Sequence, residues 1–129
     1  MNQEQIIKIQ LMEHEVNTLN NQIQLIDQNI LELRELMLSL NEIVNDKELF
    51  IDLGKRIYAP VKIKDNKLLV EVGKGNFVKK NVSESKKVVN EQAEKLDKAR
   101  TQILERLNDL HNEMNNIIIE IEKEQKGKG

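Results

Sequence analysis

From Ile9 onward the apolar side chains fall at Met12, Val16, Leu19, Ile23, Ile26, Ile30, Leu33, Met37, Leu40 and Val44, at spacings that alternate between three and four. With Ile9 at position a of a heptad, all of these residues occupy a or d. A half-buried strand alternates every second residue, so a sustained repeat of this kind predicts a coiled-coil helix, here over residues 1–47. The same seam returns over 83–125 as Val89, Ala93, Leu96, Ile103, Leu107, Leu110, Met114, Ile117 and Ile121. Arg100 holds the one polar seam position, where its stem can lie along the seam with the guanidinium in water. Ser83 and Ser85 are candidate caps for this second helix. Lys123, Lys126 and Lys128 suit its C-terminal dipole, and residues 126–129, with Gly127 and Gly129, are expected to fray.

Between the helices, over 48–82, the period changes. Leu49-Phe50-Ile51-Asp52-Leu53, Ile57–Ile63, Leu68–Val72 and Asn76–Lys79 are short strand signals separated by Gly54-Lys55-Arg56, Asp65-Asn66-Lys67 and Gly73-Lys74-Gly75. Those breaks suit tight turns, and two β-hairpins are expected. Pro60 puts the second strand at an edge or a bulge. Each helical segment is about 40 residues, or roughly 60 Å. Two such seams joined by a compact insertion are satisfied most simply by an antiparallel coiled-coil hairpin with both β-hairpins at its base. Four short strands do not hold themselves in water, so the β segment needs strands from other chains.

Composition removes most other possibilities. Of 129 residues 39% are hydrophobic, 2% aromatic and 33% charged, too lean for a globular core. There is no cysteine, hence no disulfide or thiolate chemistry, which fits a reducing, cytoplasmic setting. No apolar run approaches the roughly 20 residues of a membrane span, and Met1-Asn2-Gln3-Glu4 lacks the features of a secretion signal. A net charge of −2 gives no global attraction to nucleic acid, which is therefore an unlikely partner.

A heptad helix, a strand ending in Leu53-Gly54, a strand around Tyr58, and Val70-Glu71-Val72-Gly73-Lys74-Gly75-Asn76-Phe77-Val78-Lys79-Lys80 leading into a second heptad helix resemble the prefoldin alpha subunit family along essentially the whole chain. The Val-x-Val-Gly-x-Gly-x-aromatic-Val stretch is the most distinctive part. Two hairpins favour the alpha class over the beta class, which has one. The chain departs from the family at Asp52, where proline is common, and at Lys55-Arg56, where small residues are. The resemblance implies one prefoldin domain whose strands complete an intersubunit β-barrel, through Leu49, Ile51, Leu53, Tyr58, Val70, Val72 and Phe77. It also implies an ATP-independent holdase of two alpha and four beta subunits, archaeal in type, which passes unfolded polypeptides to a group II chaperonin. Neither enzymatic activity nor a cofactor is implied. The alternative within the same family is a structural scaffold that propagates through its hub strands as a filament.

Independently of that resemblance, apolar residues collect off the seam at the two chain ends. Ile6, Ile7 and Leu11 fall at e, f and c, and Ile118 and Ile119 flank the seam residue Ile117. With Ile117 and Ile121 they form the expected client-binding tip; the alternative is that they stiffen helix ends or contact a neighbouring chain. Residues 55–87 hold ten Lys or Arg against Asp65, Glu71 and Glu84. Solvated strand faces and edge lysines explain this, and docking onto acidic subunits or nucleic acid is the alternative. Phe50, Tyr58 and Phe77 are expected to pack in the strand core. His14 and His111 lack a helical partner at metal-ligand spacing, and no nucleophile or phosphate-loop motif occurs.

Overall fold

A computed structural model describes residues 2–127. In chain order it has α1 (Gln3–Asn41), β1 (Glu48–Gly54), β2 (Ile57–Lys62), β3 (Lys67–Gly73), β4 (Asn76–Asn81) and α2 (Val82–Gly127). Two long helices and two small antiparallel hairpins make a coiled-coil hairpin fold, as the change of period along the chain requires. By contact density the chain divides into two compact units. The first combines the first 29 residues with those from Lys95 onward, and the second is Ile30–Glu94.

In the first unit the direction of pairing is read from ion pairs. Arg106 holds Glu15 with Nε to Oε1 at 2.8 Å and Nη2 to Oε2 at 3.1 Å, while Arg100 Nε donates to Asp27 Oδ1 at 2.8 Å. The partner number falls in α2 as it rises in α1, so the helices are antiparallel. Leu107, Leu110 and Ile117 are buried in this unit, Leu110 completely, and the α1 seam from Ile9 to Ile26 is half-buried. A pair of helices covers each seam residue from one side only, and incomplete burial is the consequence. Arg100 does more than extend into water: its guanidinium is fixed on Asp27, which spans the seam where an apolar residue is missing.

In the second unit Ile30, Leu40 and Val89 are the buried apolar residues. The heptad pattern carries the first helix to residue 47, but α1 ends at Asn41. Its exit tightens through i to i−3 bonds, with Glu42 N donating to Ser39 O and Ile43 N to Leu40 O. Asp46, in the left-handed region at φ 66°, then donates its N–H to Ile63 O at 2.8 Å, and Ile63 N returns a bond to Lys47 O at 2.9 Å. Residues 42–47 are thus tied to the exit of β2. Val44 is left exposed, and Ile43 takes up the half-buried position.

The start of α2 also differs from expectation. Glu84 N donates to Asn81 Oδ1 at 2.7 Å and Asn81 Nδ2 donates to Glu84 Oε1 at 3.1 Å, so Asn81 is the cap and not Ser83 or Ser85. The reason is that β4 passes into the helix without a linker. Ser85 lies inside the first turns, buried, with its hydroxyl unpartnered. At the other end α2 continues to Gly127, past the start of the expected tail at 126; Lys128 and Gly129 lie outside the described residues.

This packing sets two expected outcomes. Leu110→Ala should lower stability by about 2–5 kcal/mol through lost burial and a residual cavity, whereas Leu104→Ala, at a position 43% exposed, should stay within about 0.5 kcal/mol; thermal unfolding of the two variants compares them directly. The second concerns pH. The hydrogen bonds from Arg106 lower the Glu15 pKa, opposed by desolvation and aided by the Arg106 charge, and the same bonds raise that of Arg106. A lowered carboxylate pKa contributes stability that is present above its unfolded value and lost as pH falls through the folded value. Glu15→Gln should therefore flatten the acid limb of melting temperature against pH below about pH 4.3, by an amount that shrinks with added salt. An unchanged acid limb would show that the pair adds nothing.

Candidate interaction surfaces

The first candidate surface lies in the first unit, where the chain begins. Asn2 and Gln5 form a reciprocal cap: Gln5 N donates to Asn2 Oδ1 at 2.8 Å and Asn2 N donates to Gln5 Oε1 at 3.1 Å. Gln5 sits one heptad step before Ile9, at a d position, and is buried there. A polar residue fills the last seam position, and the cap satisfies it. This capping box was legible as Asn-x-x-Gln before an apolar run but is easily passed over when the heptad count starts at Ile9.

The cap fixes the first turn of α1 and so the faces on which the next residues stand. Ile6, Ile7 and Leu11 are 39%, 55% and 65% exposed, and Ile118 and Ile119 in α2 are 46% and 47% exposed. Ile117 is a buried seam residue, 7% exposed. Ile121 is half-buried. A shallow groove here is lined by Ile7 and Ile117 together with the polar and charged residues Asn2, Glu4, Gln5, Lys8, Glu120 and Glu124. Off-seam leucines also occur elsewhere. Leu25 and Leu104 are exposed in this unit and Leu31, Leu36 and Leu38 in the other.

The second candidate surface is the hairpin pair of the second unit. β1 pairs with β2 and β3 with β4, in two separate two-stranded sheets. Each turns through two left-handed residues, Lys55 and Arg56 at φ 51° and 67°, and Lys74 and Gly75 at φ 43° and 78°. That is the twist a two-residue hairpin needs. Asp52 Oδ1 accepts from Gly54 N at 2.8 Å and Glu71 Oε1 from Gly75 N at 3.1 Å, which holds each turn from the strand before it.

Register assigns the expected interface residues to faces. Ile51 opposes Ala59 and Leu49 opposes Val61, which puts Leu49 and Ile51 on one side of the first hairpin. Tyr58 opposes Asp52 and lies with Phe50 on the other side. In the second hairpin Val70 opposes Val78, while Phe77 opposes Glu71 on the reverse face. The register slips between Glu71 and Gly73, so Val72 stands outside the alternation that would place it with Val70. The slip between Asp52 and Gly54 does the same for Leu53. The seven residues therefore occupy both faces of both hairpins.

Val70 is half-buried, with Leu68, against a groove of about 490 Å³ whose other walls include Leu36, Leu40, Ile43, Val88 and Val89. Leu49 is half-buried, and Ile51, Leu53, Tyr58, Val72 and Phe77 are exposed. The expectation that Phe50, Tyr58 and Phe77 pack in a core is not met within the chain, since Phe50 is 75% exposed and the other two more than half. Two strands make no second layer to cover them.

Among the described residues no lysine or arginine between 55 and 87 forms an ion pair. The three carboxylates of that stretch are committed locally: Asp65 Oδ1 accepts from Lys67 N, Glu71 from Gly75 N, and Glu84 shares the Asn81 cap. His14 and His111 are exposed, and no group of three or more metal-ligating side chains occurs among the described residues. No helix among them is long and apolar enough to cross a membrane.

A family model described as Prefoldin subunit matches residues 8–127. Among solved structures, a cryo-EM structure of filamentous PFD from Methanocaldococcus jannaschii is similar, with a TM-score of 0.73 and 20% identity over 88% of this chain and 97% of that one. Among curated proteins none matches. The terminal cap supplies its own test: Asn2→Ala should weaken the α1 start by about 1 kcal/mol. Amide hydrogen exchange should then quicken at Gln5–Ile7 and stay unchanged at Leu110; equal protection throughout would show that the cap does not hold the helix start.

Proposed function

This chain belongs to the prefoldin subunit family, and from that premise we propose that it is an alpha-class subunit of an ATP-independent holdase. Exposed apolar side chains at the terminal end of its helix pair hold unfolded polypeptides. The observation that carries this reading is the exposure of Ile6, Ile7, Leu11, Ile118 and Ile119 beside a seam already closed by Gln5 and Ile117. These side chains are not needed to join the helices. They remain free to cover apolar surface on another chain, at about 25 cal/mol per Å² removed from water, and that attraction needs no sequence code.

Each patch is small, so a useful grip requires several acting on one client, where linkage raises the effective concentration of the second contact. Oligomerisation supplies the linkage. Two-stranded sheets with apolar residues on both faces need further strands, and a barrel completed between two alpha and four beta-class subunits would provide them. In the same reading the assembly works in the cytoplasm and hands its clients to a group II chaperonin. A second reading has its own support, since the similar solved structure is described as filamentous: hub strands that repeat head to tail would make the chain a scaffold.

Replacing Ile7, Leu11, Ile118 and Ile119 together by Ser or Gln leaves every a and d position intact, so folding and assembly should survive. In the assembled complex, suppression of light scattering from an aggregating denatured protein should fall several-fold. Undiminished protection would remove these residues from client binding. A wild type that never protects yet grows into long polymers would favour the scaffold.

A further inference from the structure

The start of α1 and the end of α2, which share the first unit, are acidic. Residues 3–15 and 109–127 together carry eight carboxylates against three lysines. Arg106 engages two of the eight, Glu15 and Glu113, and none of the other six forms an ion pair among the described residues. Three of those six, Glu4, Glu120 and Glu124, line the groove of about 600 Å³ that also holds Ile7 and Ile117, with Lys8 as the one cation beside them.

Glu124 is unfavourable for its own helix. It stands one turn after Glu120, where like charges repel, and in the last turn of α2, where a negative charge opposes the helix dipole. The groove holds a second free group. Gln5 is 8% exposed, its Oε1 accepts from Asn2 N, and its Nε2 donates to nothing among the described residues. A backbone carbonyl of an extended chain is an acceptor that would satisfy it.

Resting on the reading that this end of the helix pair holds unfolded polypeptides, we propose that it selects segments in which apolar side chains are flanked by lysine or arginine. The apolar side chains of such a segment lie against the exposed isoleucines, and its cations stand at Glu4, Glu120 and Glu124. The two attractions differ in range. Apolar burial acts only on contact, whereas unpaired charges act over about 8 Å at physiological salt and about 3 Å at about 1 M. The carboxylates therefore draw a cationic segment toward the groove and raise its rate of capture, while an acidic segment is turned away. Charge selects, and apolar contact holds.

The test uses two labelled, unstructured peptides with the same apolar residues, one flanked by lysines and one by glutamates, and reads their binding to the assembled complex by fluorescence anisotropy. Binding lost on replacing Ile7, Leu11, Ile118 and Ile119 by Ser defines the part that belongs to the helix ends, which separates it from any contact with the basic stretch 55–87. On that part the lysine peptide should bind about tenfold more tightly at low salt, and the difference should vanish at about 1 M salt. E4Q/E120Q/E124Q, with helical circular dichroism unchanged, should cut the preference several-fold and leave the high-salt affinity alone. Equal binding of the two peptides to the wild type would overturn charge selection and leave the proposed function standing. A preference that survives in E4Q/E120Q/E124Q would overturn its assignment to this groove. A folded basic protein that competes as well as the lysine peptide would overturn an unfolded occupant. No binding of either peptide, or binding undiminished by the Ser replacements, would overturn the proposed function together with this selectivity.

Discussion

A single line of apolar side chains between two antiparallel helices is the constraint on which everything else rests. The seam is one residue deep and has a helix on one side only, so Leu110 is fully enclosed while most of its neighbours are half-covered. Such a seam can hold two helices together. It has no spare volume for a side chain that faces away from it, and the off-seam residues Ile6, Ile7, Leu11, Leu25, Leu104, Ile118 and Ile119 are left at the surface. The ion pairs of Arg106 with Glu15 and Arg100 with Asp27 add register to this contact; at exposed positions such pairs contribute little to stability itself.

The hairpins are in the opposite condition. They have good turn chemistry and regular ladders but no second layer, which leaves Phe50, Tyr58 and Phe77 in water. A chain so built is stable along its helices and incomplete at its strands. The proposed function grows out of that division: in that reading the helices present a patch they do not need for folding, and the strands are completed by other subunits.

Much of this is legible in the sequence because each element has a strong local signal. The heptads identify the helices and their buried positions down to Leu107, Leu110 and Ile117, and the paired turn residues identify both hairpins. Features that depend on contacts between elements are not legible in the same way. Val44 fits the heptad, yet the bonds of Asp46 and Lys47 to Ile63 end the helix before it. Ser83 and Ser85 are good caps by type, but β4 delivers Asn81 to the cap position first. Ile117 qualifies by pattern both as seam and as tip; it is buried in the single chain and also lines the groove beside Ile7. Strand faces are the hardest, since a single register slip at Val72 breaks the alternation from which its neighbours would be assigned.

The central claim is that the off-seam isoleucines, and not the seam or the hub, contact an unfolded chain. Methyl NMR of the assembled protein with labelled isoleucines, titrated with a permanently unfolded polypeptide, addresses it residue by residue. The signals of Ile6, Ile7, Ile118 and Ile119 should shift or broaden while those of buried Ile30 and Ile117 stay in place. Perturbation confined to the hub residues Ile51 and Ile57, with the terminal isoleucines unmoved, would contradict it.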